Sequence, residues 1–575
     1  MMPVEAIVDK WRNHPRLTED LKKELNTLDD VQIEDAFYKC IEFGTGGMRG
    51  EIGVGPNRMN IYTVRKAAQG LANFAKERNV YQGDESIAIA YDSRHFSPEF
   101  AMETAKVLAT NGIKAYLFDH ICPTPILSFA IRYLRASGGV VITASHNPPE
   151  YNGFKVYLED GCQIPVEAAK SLVSHVDSIV DELNLLTDTE DELRARNLIV
   201  TVPADVEDAY LEATESIRIH KEMEQETKDS LKIVFTPLHG TSLKAMTLGL
   251  QQWGFNHVDI VKEQAQADPE FSTVASPNPE EHAAFEYAIQ YGKRQNADVL
   301  MGTDPDADRL GVAALNEKGE YEVLTGNQLG ALLLDYIVTG KAEQGTLPNN
   351  GFVAKTIVTS ELGASIAKGA GLHVVNTLTG FKFIGEQIRL NEGQHPFVFG
   401  YEESYGYLIG DFCRDKDAVQ TGLLVAEMTA YWKGKGQTLY QRLESIWKQY
   451  GYYQESLYSL TLKGKAGSER IQRMMDFFRA NSWSVVHGLQ VLAVEDYLTG
   501  THYDCETKQI KAMTLPKSNV IKIILANDSW FCLRPSGTEP KLKAYFSVRS
   551  ESKEASLDLV ANLQDTIVKM LNVIE

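Results

Sequence analysis

Thr143-Ala144-Ser145-His146-Asn147-Pro148 sets a hydroxyl beside an imidazole just after an apolar run, Gly139 to Ile142. A serine carried by a buried strand into a loop too polar for a core is a candidate covalent carrier, although Ser and Asn before Pro-Pro also suit an ordinary turn. Far downstream a second apolar run, Ala297 to Met301, leads into Thr303-Asp304-Pro305-Asp306-Ala307-Asp308-Arg309. Three carboxylates at alternate positions repel one another unless a cation sits among them. Mg²⁺ suits such a set, because it takes hard oxygen ligands and usually combines few protein carboxylates with substrate phosphate oxygens. A calcium-binding EF-hand loop is excluded. Its sixth position needs glycine and here is Arg309; its twelfth needs glutamate and here is Leu315. The plain alternative is a solvated acidic turn.

Two further loops carry groups for a phosphorylated, hydroxylated ligand. Arg534-Pro535-Ser536-Gly537-Thr538-Glu539-Pro540-Lys541 lies between two expected strands, Trp530 to Leu533 and Leu542 to Val548. Its arginine offers a planar fork for two phosphate oxygens, and its hydroxyls and backbone N–H groups suit an anion cradle as well as they suit a hairpin turn. Gly400-Tyr401-Glu402-Glu403-Ser404-Tyr405-Gly406, after an expected strand Phe397 to Phe399, could hydrogen-bond sugar hydroxyls or form an exposed acidic loop.

In this order, the four segments resemble the α-D-phosphohexomutase family, whose members include phosphoglucomutases and phosphomannomutases. The resemblance spans nearly the whole chain. Phe43-Gly44-Thr45-Gly46-Gly47-Met48-Arg49-Gly50, with Asn57-Arg58-Met59-Asn60 after it, is similar to the branch that holds bacterial phosphoglucomutases and related phosphopentomutases. The resemblance implies an α/β fold of four domains around one cleft: three similar mixed α/β domains and a smaller C-terminal α+β domain that swings to close the site. Boundaries are expected to give domains 1–206, 207–322, 323–451 and 452–575, bearing in turn the phosphoserine, metal, sugar and phosphate loops.

The implied chemistry is phosphoryl exchange through phosphoserine at Ser145, with a hexose 1,6-bisphosphate as intermediate and activator. One Mg²⁺ per chain would be held by Asp304, Asp306, Asp308 and an oxygen of the phosphorylated Ser145. Arg309 and Lys155 fall at positions suited to the moving phosphoryl group, and Arg49 and His146 are candidates for proton transfer or charge stabilisation. The identity of the general base stays open. Glu402 and Ser404, with Gly380 and Lys382, would hold the sugar, while Arg534, Ser536, Gly537, Thr538 and Lys416 would grip the phosphate that is not transferred. Glucose 1-phosphate is the expected substrate; ribose and mannose phosphates, and a catalytically silent phosphosugar-binding relative, are the alternatives.

The elements that must position these loops are legible in outline. Ile87 to Tyr91 before Asp92-Ser93-Arg94, Ile233 to Phe235 before Thr236-Pro237-Leu238-His239-Gly240, and Phe352 to Ala354 before Lys355-Thr356 repeat one plan of strand, polar loop and helix. That alternation predicts partly parallel sheets with ligand sites beyond the carboxyl ends of the strands. Asn278 is expected to cap a helix beginning at Pro279, and another helix is expected from Asn327 to Val338, stopping near Gly340. An acidic, helix-rich connection is expected around Asp177 to Glu226.

At 575 residues the chain exceeds one core. With 57 basic against 78 acidic residues it carries a formal charge of −21, which disfavours nucleic-acid binding and requires positive charge to be concentrated locally. Arg49, Arg94, Lys155, Arg309, Lys382, Lys416, Arg534 and Lys541 are the cations expected to line a cleft. No apolar run approaches a membrane span, and Met1 to Arg16 lacks the apolar core of a secretory signal. Six scattered cysteines, without CxxC or zinc spacing, suit reduced thiols. A cytoplasmic enzyme, monomer or homodimer, is expected.

Overall fold

In the computed structural model, residues 3–44, 46–462, 464–536 and 540–574 are described. The chain divides into two compact units, one of residues 1–326, 381–400 and 404–438 and the other of 327–380, 401–403 and 439–575.

In the first unit, a seven-stranded sheet runs Phe43–Gly44, Gly47–Glu51, Tyr151–Leu158, Gly138–Ile142, Ser86–Tyr91, Lys114–Leu117, Ile199–Thr201. The last four pair in parallel, whereas Tyr151–Leu158 lies antiparallel between Gly138–Ile142 and Gly47–Glu51. Ser86–Tyr91 and Gly138–Ile142 are buried at every position, which explains why they read as unbroken runs of small and apolar residues rather than as alternating strands. Their cover comes in part from helices Ser97–Thr110 and Thr124–Tyr133, the first of which packs in turn against helix Ile61–Arg78. The acidic connection contributes the edge strand Ile199–Thr201 as well as helices.

A second sheet in this unit runs Tyr321–Val323, Leu310–Leu315, Val299–Thr303, Ile233–Thr236, Val258–Ile260. Val299–Thr303 and Leu310–Leu315 form a hairpin that closes with Thr303 opposite Leu310, so residues 304–309 are its turn. The helix expected to begin at Pro279 does not: Asn278 Oδ1 accepts from Glu280 N at 3.2 Å in a local turn, and the α-helix begins only at Glu286 after a 3₁₀ segment, His282–Phe285. The asparagine side chain closed the nearest turn available to it instead of a helix.

In the second unit, Phe352–Thr356 and His373–Thr377 pair in parallel and are joined by helix Glu361–Gly369, which Ser360 caps through Leu362 N. Lys355 and Thr356, expected in a polar loop, are the last residues of that strand and are fully buried. Helix Gly326–Glu343 continues through Gly340; the chain turns at Gly345, whose φ of +65° lies in the left-handed region. Glycine inside a helix weakens it without ending it when the flanking residues are packed. The C-terminal sheet has eight strands where a small one is expected, because a ribbon over 485–512 adds three beyond Leu489–Asp496. Helices Gly464–Ala480 and Lys553–Val573 cover it, burying Met474, Phe478, Leu563 and Ile567 against Ile523, Phe531 and Phe546.

Candidate active site

Ser145 stands just beyond the carboxyl end of strand Gly138–Ile142, and the turn of the acidic hairpin follows strand Val299–Thr303. Within the first unit the two loops meet. Ser145 Oγ donates to Asp304 Oδ2 at 2.7 Å and lies 3.2 Å from His146 Nδ1. The serine backbone is left-handed, with φ +52°, and its N–H is fixed by Thr143 Oγ1 at 2.8 Å. A non-glycine residue in that region is held there by its surroundings, as reactive loops often require.

Asp304, Asp306 and Asp308 are all buried and present ligand atoms within 4.8 Å of one another. The turn arranges itself around Asp304, whose Oδ1 accepts from the N–H groups of Asp308 at 3.0 Å and Arg309 at 2.9 Å, just after Ala307 at φ +58°. Lys155 Nζ reaches Asp306 Oδ2 at 2.8 Å and Asp308 Oδ2 at 3.4 Å; Lys416 Nζ reaches Asp308 Oδ2 at 3.0 Å. Asp306 Oδ1 and Asp308 Oδ1 remain buried without a hydrogen bond. Two orphaned carboxylate oxygens beside a third carboxylate, in a site no solvent reaches, form the donor set of a hard cation. The three aspartates therefore fit a metal ion.

Electrostatics agree with that fit. Burial and repulsion by Asp306 and Asp308 push Asp304 well above the usual carboxylate range. Burial opposes ionisation of Asp306 too, but Lys155 outweighs it and holds that carboxyl down; Lys416 and Lys155 do the same for Asp308. Conversely, burial would depress Lys155, but the two aspartates raise it, so it stays protonated. His146 is pulled well below the imidazole range by burial and by Arg309 and Arg49, and is neutral. Arg309 pairs with Glu280, and Arg49 donates to Asn147 Oδ1 at 3.1 Å.

Arg94 does not line an open surface. Its guanidinium is buried and donates to the backbone oxygens of Ser145 at 2.5 Å, Pro148 at 2.7 Å and Tyr151 at 3.1 Å, and also to that of Asn147. Five N–H donors in a rigid fork suit one side chain to several carbonyls of a loop. Sequence reasoning also missed Thr124, whose N–H and hydroxyl donate to Asp306 O and Oδ2 at 2.9 and 3.2 Å. It missed the approach of Gly240 as well: a Cβ there would stand 2.4 Å from Pro305 Cα, so glycine alone allows the 236–240 loop to rest on the acidic turn.

Lys382, in the same unit, lies over the Phe383 ring, and Lys416 over Phe381. Ser404 is half-buried. In the second unit Glu402 is buried and accepts from Gly380 N at 2.8 Å, so two of the expected sugar residues are adjacent. The neighbouring Glu403 is held by Thr356 and Thr359 hydroxyls at 3.1 and 3.2 Å. Arg534 and Ser536 line an open depression of about 410 Å³ with Ser468, Gln472, Ser518 and Asn519. Gly537 and Thr538 lie outside the described residues. Lys541 opens strand Lys541–Ser550, and its carbonyl accepts from Ser536 N at 2.7 Å.

Models of the phosphoglucomutase/phosphomannomutase family match the chain in sequence: α/β/α domain I over 41–182, domain II over 208–317, domain III over 325–450 and the C-terminal domain over 495–561. Phosphoglucomutase from Staphylococcus epidermidis is 40% identical over 533 residues, covering 92% of this chain and 95% of its own length. That of Staphylococcus aureus is 39% identical over 520 residues, covering 90% and 92%. Among solved structures, a phosphoglucomutase/phosphomannomutase family protein from Burkholderia thailandensis superposes with a TM-score of 0.66 at 18% identity, covering 92% of this chain and 97% of its own. Parafusin, a phosphoglucomutase of Paramecium, gives 0.65 at 16%, covering 92% and 96%. The chain belongs to the phosphoglucomutase/phosphomannomutase family and is an enzyme of that four-domain α/β fold.

Proposed function

We propose that the enzyme interconverts α-D-glucose 1-phosphate and glucose 6-phosphate, with Ser145 as the phosphoryl carrier. The observation that carries this reading is the hydroxyl of Ser145 at 2.7 Å from a buried triad of carboxylates with two unfilled oxygens. Its 40% identity to a phosphoglucomutase supports glucose as the sugar.

In the first transfer, the 6-hydroxyl oxygen of glucose 1-phosphate attacks the phosphorus on Ser145. The Oγ–P bond breaks, an O6–P bond forms, the hydroxyl proton leaves for a base, and Ser145 Oγ takes up a proton. Glucose 1,6-bisphosphate then turns over in the site. In the second transfer Ser145 Oγ attacks the phosphorus at C1, the P–O1 bond breaks, the serine proton leaves, and O1 takes up a proton to give glucose 6-phosphate. Such transfers need alignment and neutralisation of charge more than covalent help from the protein. Mg²⁺, held by Asp304, Asp306 and Asp308 with a phosphoserine oxygen, supplies charge stabilisation when bound.

Lys155 is fixed as a cation by two aspartates, so its role is charge rather than proton acceptance. Ser145 Oγ donates its hydrogen bond to Asp304 Oδ2; neutral His146, with Nδ1 at 3.2 Å from the same oxygen, is assigned to take the serine proton when Asp304 is engaged by the metal ion. Arg49 and Arg309 serve the moving phosphoryl group. Glu402, Gly380, Ser404 and Lys382 are assigned to the sugar, and Arg534, Ser536, Gly537, Thr538 and Lys416 to the phosphate that stays. The enzyme is assigned to the cytoplasm, and its partner is a phosphosugar.

Conversion of glucose 1-phosphate, mannose 1-phosphate and ribose 1-phosphate, each with Mg²⁺ and a trace of the matching bisphosphate, tests the substrate. A clear kcat/KM preference for glucose is expected. A preference for ribose would replace this reading with a phosphopentomutase, and absence of turnover with all three would point to a silent phosphosugar-binding relative.

A further inference from the structure

The guanidinium that holds the serine loop is itself covered. Phe271, 1% exposed, lays its ring over Arg94 with 4.9 Å between guanidinium carbon and ring centroid. It belongs to a short irregular segment of the second domain, 268–273, that reaches onto the turn after strand Ser86–Tyr91. Beside Phe271, Glu270 Oε1 meets His95 Nε2 at 2.6 Å, and His95 O accepts from Asn152 Nδ2 at 2.9 Å.

The segment is built to hold this pose. Asp268 accepts from Glu270 N at 3.0 Å and Ser272 N at 2.9 Å, and Phe271 takes a left-handed φ of +49° with its N–H on Asp268 O. A bulky residue in that region persists only where its surroundings hold it there. At its other end Thr273 Oγ1 bonds His239 Nε2 at 2.8 Å and Gln264 Nε2 at 3.1 Å. His239 belongs to the loop whose Gly240 rests on Pro305 and whose Thr241 N–H donates to Pro305 O at 2.9 Å. One segment therefore links the acidic turn to the serine loop by a second route, independent of the Ser145–Asp304 hydrogen bond.

We propose that segment 268–273 is a strap that positions the phosphoryl-carrying serine, with Phe271 acting on Ser145 through Arg94. An aromatic face over a buried guanidinium keeps water from its donors; burial pulls the Arg94 pKa down, and Asp92 at 3.4 Å and the ring face offset part of that cost. Arg94 then spends its donors on the carbonyls of Ser145, Asn147, Pro148 and Tyr151, which fixes the left-handed serine and aims Oγ at the carboxylates. Phe271 acts through Arg94, over which its ring lies; it is a positioning residue, and its effect belongs on the chemical step rather than on substrate binding.

The strap rests on the reading of Ser145 as carrier, and the test separates the two. kcat and KM for glucose 1-phosphate are measured in Phe271→Leu, which keeps apolar volume without a ring face, in Arg94→Lys, which keeps charge without the fork, and in Ser145→Ala, with a thermal melt of each. The expected result is that both positioning variants stay folded at the assay temperature and lose about tenfold or more in kcat, as a misplacement of about 1 Å does, with KM changed less than about threefold. Normal kcat in Phe271→Leu beside an inactive Ser145→Ala would overturn the strap alone, and so would a loss confined to KM. Normal turnover in Ser145→Ala would overturn the carrier reading and the strap with it. Should Phe271→Leu fail to fold, Glu270→Gln, which weakens the same docking at His95, is expected to lower kcat in the same sense; wild-type kcat there would count against the strap.

Discussion

At the scale of residues, the site is a problem in placing like charges. Three buried carboxylates are tolerable because Lys155 and Lys416 balance Asp306 and Asp308 and Asp304 is pushed toward its neutral form, until a cation takes over that work. Thr124 matters here although it bears no charge. Its hydroxyl donates to Asp306 Oδ2, while Oδ1 is left without a hydrogen bond. Outer groups of this kind change metal affinity by about ten- to a hundredfold. Thr124→Val is therefore expected to raise the Mg²⁺ concentration for half-maximal activity by about tenfold, with little change in rate at saturating Mg²⁺; an unchanged metal titration would remove Thr124 from the site. The residue types of this centre were legible because Ser-His and Asp-x-Asp-x-Asp are compact in sequence. Thr124 was not, since it lies 182 residues from its partner and looks like the start of any helix.

At the scale of elements, each loop with chemistry follows a strand whose burial fixes where the strand must end. Gly138–Ile142 and Val299–Thr303 are buried along their whole length, so the first polar residues beyond them, Thr143 and Asp304, emerge at defined points. These strands could be read from apolar runs. The turn at Asn278 and the passage of a helix through Gly340 could not, because local signals for caps and stops are overridden by packing. One element carries a burden of its own. Glu455, half-buried on strand Tyr452–Thr461 opposite Ser547, has its carboxyl pushed by burial from 4.5 to about 7. The native fold thus favours the protonated side chain, and that favour is lost as pH rises from about 4.5 through about 7. Glu455→Gln should melt like the wild type at pH 4.5 and at a higher temperature at pH 8, by about 1–3 kcal/mol of stability. Equal melting at both pH values would mean that Glu455 ionises freely.

At the scale of the whole molecule, a chain of net charge −21 handles phosphate by gathering cations where they are needed. Arg94 corrects the simplest version of that idea: an arginine in a loop after a strand suggests a cleft cation, yet it is buried and bonded to carbonyls, a role set by partners far along the chain. The repeated plan of strand, loop and helix was legible because it is local. The link from strap to arginine to serine was not, because it joins residues of different domains with no signature at either end. Interconversion by this enzyme depends on phosphate residing on Ser145 during turnover. The most direct measurement is intact mass with peptide mapping of the enzyme after exposure to glucose 1,6-bisphosphate, and again after addition of excess glucose. One added phosphate is expected on the peptide containing Ser145, lost when the sugar hydroxyl is offered. Full turnover of glucose 1-phosphate by enzyme that never carries phosphate on Ser145 would contradict it.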